Sequence, residues 1–95
     1  MLRFEWDEEK DAINRSKHRI GFETAMLVFD DPNCLTFVER VEDGEERWHA
    51  IGALDGRVIV TVVHTYRLEG SGEIIRIVSA RRADPQERKQ YVEAL

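Results

Sequence analysis

Arg76-Ile-Val-Ser-Ala-Arg-Arg-Ala-Asp-Pro-Gln-Glu-Arg-Lys-Gln-Tyr91 reads as a strand, a turn and a helix, and the rest of the chain is fitted around it. Ile74 to Ala80 is apolar and β-branched enough for a strand. Period-two alternation predicts Ile75, Ile77, Ser79 and Arg81 on one face and Ile74, Arg76, Val78 and Ala80 on the other. Asp84 is a good N-cap, Pro85 suits the first helical position, and Glu87 completes a capping box. A helix is expected from about Pro85 to the C-terminus, with Tyr91, Val92 and Leu95 on its apolar side and Arg88 at the start of that face.

Ahead of this stretch, Phe4-Glu5-Trp6 is a short strand candidate, and Asp7 caps a helix reaching about His18, with Glu8 and Glu9 where the helix dipole favours negative charge. Phe22, Ala25, Met26 and Phe29 recur at helical spacing, and Asp30-Asp31-Pro32 ends that helix. Cys34 to Arg40 and Arg47 to Leu54 read as strands around a polar turn, Val41 to Glu45. Asp55-Gly56 is a two-residue hairpin signal into Arg57 to Thr65, and Tyr66 to Glu73 reads as a loop. The expected fold class is α+β, in the order β-α-α-β-β-β-β-α. Short turns imply a central antiparallel sheet with the first two helices on one face and the last helix near the other or at an edge.

The chain of 95 residues has the length of one domain, residues 1–95. Its longest apolar run, near Val58 to Val63, is too short for a bilayer, so no membrane role is expected. The acidic start does not resemble a signal peptide, and a lone Cys34 cannot form an internal disulfide. Both point to a cytoplasmic protein. The net charge of −5, from 14 basic and 19 acidic residues, argues against nonspecific coating of nucleic acid. A local basic patch persists at Arg76, Arg81, Arg82, Arg88 and Lys89. Arg82 and Lys89 read as ordinary surface ion-pair partners. For Arg76, Arg81 and Arg88, a functional and a structural role are equally open.

One cysteine and three scattered histidines, His18, His49 and His64, give no metal-ligand spacing, and no phosphate-cradling glycine loop is present, so neither a metal nor a cofactor is expected. Strand parity groups His64 with Val58, Val60 and Val62 as a partly buried structural histidine, and places His49 with Arg47 and Ile51. Glu46, Arg47, Arg67, Ser79, Arg81, Arg88 and Tyr91 are residues of the types a ribonuclease without metal uses. Such an enzyme needs a base for the 2′-OH, cations for the phosphate and an acid for the leaving oxygen. Glu46 is a candidate base and Tyr91 a candidate acid, although an ion pair for one and packing for the other account for them equally well.

Phe4-Glu5-Trp6-Asp7-Glu8-x-Lys10, Asn14-x-x-Lys17-His18-x-Ile20-x-Phe22, Phe29-x-Asp31-Pro32, Glu45-Glu46-Arg47-Trp48-x-x-Ile51-Gly52 and Arg76-Ile77-x-Ser79-Ala80-Arg81-x-Ala83-x-x-x-Glu87-Arg88-x-x-Tyr91 together resemble the BrnT family across nearly the whole chain. Arg19 departs from the family's usual glycine after Lys-His. The resemblance implies a RelE-like fold and a type II toxin that cleaves RNA and arrests translation until a BrnA antitoxin neutralises it. It also implies that the pair binds its own promoter; the net charge of −5 leads us to expect an antitoxin that covers the active surface with basic or apolar segments meeting the acidic stretches and makes most of the DNA contact. Within those motifs the candidate catalytic residues are Glu46, Arg47, Arg67, Arg81, Arg88 and Tyr91, and Lys17, His18, Arg76 and Ser79 are candidates for holding substrate. The competing classes are a ParE-like toxin that binds a protein such as gyrase and an inactive interaction module.

Overall fold

A computed structural model describes residues 2–95 as β1 (Leu2–Glu5), α1 (Glu8–His18), α2 (Phe22–Ala25), a 3-10 helix (Met26–Asp30), β2 (Leu35–Glu42), β3 (Glu45–Leu54), β4 (Val58–Glu69), β5 (Gly72–Arg82) and α3 (Pro85–Glu93). The five strands form one sheet in the order β1-β5-β4-β3-β2. The expected antiparallel meander is present from β2 to β5. β1 adds to the outer edge of β5 in parallel, so the sheet is mixed. No helix among the described residues is long and apolar enough to cross a membrane.

Several boundaries differ from the sequence expectation. The single helix expected over Phe22 to Phe29 is one α-helical turn followed by 3-10 geometry. This segment descends onto β3 at Gly52, where an added Cβ would lie 2.8 Å from Val28 Cγ1 and 3.0 Å from its carbonyl oxygen. The polar turn contracts to Asp43 and Gly44, both at positive φ (53° and 78°). The Asp55-Gly56 hairpin takes in Arg57 as well, whose N–H donates to the Leu54 carbonyl at 3.0 Å. The loop expected over Tyr66 to Glu73 is strand on both sides of a tight Gly70-Ser71 turn.

Two β-bulges decide which side chains share a face. Val63 pairs with Ser79 and His64 with Ile77, leaving Val78 as an extra residue. The simple alternation is therefore reset. Ala80 joins Ile75 and Ile77 in the core beneath the N-terminal helices, while Ser79 and Arg81 turn to the other face with Arg76. A second bulge between Val38 and Arg40 has the same effect in β2. The main core joins Phe22, Ala25 and Val28 to Ala50, Val60, Val62, Ile75, Ile77 and Ala80. On the opposite face α3 covers one end of the sheet, where Ala83 and Tyr91 meet Ile51, Leu35, Phe37, Ala53 and Ile59.

β1 pairs β5 only as far as Arg76, and Asn14 of α1 takes over beyond it. Its amide donates to the carbonyls of Ala80 and Ile20, each at 2.8 Å, and its carbonyl accepts the Ala80 N–H at 3.1 Å. Asn14 is buried, so no water substitutes for these bonds. Asn14→Leu keeps the volume but orphans three backbone groups, and is expected to cost about 3 kcal/mol of unfolding free energy in urea titrations. A loss below about 0.5 kcal/mol would show that the edge is satisfied another way.

Candidate functional site

The open half of the α3 face carries a compact group of polar side chains. Cross-strand register aligns His49 with Val63 and Ser79, and Ile51 with Thr61 and Arg81, while Arg47 lies two residues before His49 on the same face. Glu87 reaches down from the first turn of α3. Its carboxylate accepts the Asp84 N–H at 2.9 Å to complete the capping box, and receives the Arg81 fork through Nη1 and Nη2 at 2.6 and 3.0 Å. His49 Nδ1 lies 3.8 Å from Glu87 Oε2, and Phe37 packs on the imidazole with ring centroids 5.6 Å apart.

Burial pushes the Glu87 carboxyl upward, but the Arg81 and Asp84 hydrogen bonds more than offset this and hold it below the ordinary glutamate value. Arg81 is in turn made a weaker acid by Glu87. The Thr61 hydroxyl is buried and lies close enough to favour the Glu87 carboxylate, without forming a full hydrogen bond. The arginines of this face differ in how far their charge is matched. Among the described residues Arg47 meets only Glu45, at 3.5 Å, and its buried Nε has no partner. Arg76 and Arg67, further along the face, share Glu5, and Arg67 also meets Glu69. Burial raises the Glu5 carboxyl and the two guanidinium groups lower it further, below its usual range.

The structure brings together only part of the set read from the sequence. Arg47, Arg76, Ser79 and Arg81 share the open face with Arg67 at its far end. Glu46 projects from the other face of β3. Tyr91 is buried and donates to Asp31 Oδ2 at 2.6 Å, which drives its hydroxyl up to about 12. Arg88 is exposed on α3 and donates to the Ala83 carbonyl at 2.9 Å. Lys17 and His18 end α1 on the helix-bearing side, where His18 lines a groove with Arg82 and Asp55. His49, Thr61 and Glu87 are the additions. Parity already placed His49 beside Arg47, whereas Glu87 was legible only as a cap.

A concavity of about 750 Å³ lies between α3 and the 3-10 helix, lined by Leu27, Asn33, Leu54, Tyr91 and Val92 among others. It too carries charge, from Asp30, Asp31, Asp55 and Arg57, but no histidine lines it, and Asp31 is tied to Tyr91. Among the described residues no three His, Cys, Asp or Glu side chains are grouped to hold a metal.

Residues 6–87 match the family model described as the ribonuclease toxin BrnT of type II toxin-antitoxin systems. The crystal structure of the Brucella abortus ribonuclease toxin BrnT is similar in fold, with a TM-score of 0.65 and 24% identity over 88% of this chain and 99% of that one. No curated protein matches the sequence.

The depressed carboxyl of Glu87 has a direct consequence for stability. A carboxylate whose folded pKa lies below its unfolded value stabilises the fold above the unfolded value, near 4.5 for Glu87, and loses that contribution as pH falls through the folded pKa. The stability gap between the native protein and Glu87→Gln should therefore be constant at neutral pH and narrow in acid below about 4.5. Urea unfolding from pH 7 downward measures it, and a gap independent of pH would count against an ionised Glu87.

Proposed function

Because this chain belongs to the BrnT family of ribonuclease toxins of type II toxin-antitoxin systems, we propose that it is an endoribonuclease acting as one domain, with its cutting site on the open face around Arg47, His49 and Glu87. The observation that supports this placement is the pairing of His49 Nδ1 with the ionised Glu87 while Arg47 stands two residues away with its charge loosely matched. The Glu87 carboxylate, 3.8 Å from Nδ1, favours a proton on that nitrogen through its charge, leaving Nε2 to take the 2′-OH proton. The 2′-oxygen then attacks phosphorus, the bond to the 5′-oxygen breaks, and that oxygen leaves with a proton from the imidazolium or water. Arg47 stabilises the added charge on the phosphoryl oxygens, and Ser79 and Arg76 hold the flanking backbone. Arg81 positions Glu87. These groups supply base, cation and acid without a metal in the chemistry.

In this reading RNA cleavage arrests translation in the cytoplasm, and a BrnA-type antitoxin neutralises the protein. The net charge of −5 leaves most of the contact with promoter DNA to that antitoxin. His49→Ala should slow cleavage of a defined RNA by about a hundred- to ten-thousand-fold. Arg47→Ala should slow it by about a hundred- to a thousand-fold. Both variants should melt near the native temperature. Full cleavage by both would remove this face from consideration. A native protein that halts growth without cutting RNA would instead favour a ParE-like toxin acting on a protein target.

A further inference from the structure

The N-terminal helices cover only part of their face of the sheet. Beyond the 3-10 helix the ends of both hairpins project outward, leaving Val38, Val41, Tyr66 and Leu68 exposed at 39, 64, 42 and 72%. Register gathers them into one strip: Val38 pairs with Trp48, Val41 with Glu46, Tyr66 with Ile75, and Leu68 with Glu73. The charged side chains of these rows are Glu46 and Glu73, while Arg40, Arg47, Arg67 and Arg76 fall on the opposite face, paired with Glu42, Glu45 and Glu5. The strip is therefore apolar and acidic.

A hollow of about 180 Å³ opens in it, lined by Phe29, Thr36, Trp48, His64, Tyr66 and Ile75. His64 is 3% exposed, and among the described residues neither ring nitrogen makes a full hydrogen bond, although the Thr65 backbone lies close enough to favour the charged ring slightly. Phe29 meets its ring edge-on at 5.1 Å, and Trp48 stacks at 6.3 Å. Burial lowers its pKa to about 4, so the imidazole is neutral at pH 7. The ring nitrogens lie beneath the surface, so the wall that the hollow presents is largely apolar and aromatic and suits an apolar side chain.

We propose that this strip is the docking surface for the antitoxin, a partner whose bound segment places one large apolar or aromatic side chain in the hollow and sets lysine or arginine against Glu46 and Glu73. The inference rests on the toxin reading above and adds the surface and chemistry of its partner. Exposed apolar side chains rimmed by charge mark protein contacts. RNA is disfavoured because the strip carries carboxylates and no cation. A second copy packed face to face would set these carboxylates against themselves. The docking surface and the proposed cutting face then lie back to back on one sheet, so the strip anchors the antitoxin and any segment of it that covers the cutting face reaches around the sheet edge.

The test uses the full chain and a BrnA-type antitoxin polypeptide, with affinity measured by calorimetry. A Val41→Lys, Leu68→Lys double variant should bind roughly a hundredfold more weakly, and Glu73→Lys alone should also weaken binding. Both should keep the native melting temperature and the native rate of RNA cleavage. Native affinity in both variants overturns the docking surface and leaves the toxin reading standing. A native protein that neither cuts RNA nor binds the antitoxin overturns both. Sedimentation showing a native self-dimer that the double variant abolishes assigns the strip to a second copy and also overturns the proposal.

Discussion

One buried carboxylate, that of Glu87, fixes the corner on which the structure turns. It accepts the N–H of Asp84, the fork of Arg81 and the approach of His49, so it joins the end of β5, the start of α3 and the middle of β3. An isolated carboxylate that is nine-tenths buried is unfavourable, and the contacts that compensate it also define the angle at which α3 leaves the sheet. Asp31 does the corresponding work further along the helix, accepting the Tyr91 hydroxyl and the N–H groups of Ala53 and Asn33. Burial alone would raise the Asp31 carboxyl, but these bonds hold it below the ordinary value. Held near both ends, α3 covers one part of the sheet and leaves the rest open.

The two faces acquire opposite characters from the strand register. Without the extra residue at Val78, Arg81 would point into the core beneath the N-terminal helices and Ala80 toward Glu87. The bulge puts a small side chain where the helices pack and a guanidinium where a carboxylate waits. Asn14 then holds that part of β5 in place of a neighbouring strand, so the edge is closed without another strand. One face presents arginines matched to different degrees by acids, and the other ends in an apolar strip carrying only acids. The two faces of a single thin sheet therefore differ in chemistry and share no side chains.

The sequence by itself determined the order of the elements, because each carries its own local physics: the Asp7 and Asp84 caps, the Pro85 start, the glycine turns and the apolar runs of the strands. It also determined the family, through motifs strung along the chain, and it grouped His49 with Arg47, since parity within an unbulged strand survives folding. Tertiary structure decided the parallel seat of β1, the bulges and the partners of each charge. Those depend on side chains far apart in the chain competing for the same space and the same hydrogen bonds. Glu87 shows the difference most clearly. Three residues of sequence reveal it as a cap, but its pairing with Arg81 and its approach to His49 exist only once β3, β5 and α3 are packed together. Tyr91 shows the converse: a residue whose type and motif suggested chemistry is held by a carboxylate that lies sixty residues earlier in the chain, and folding alone brings the two together.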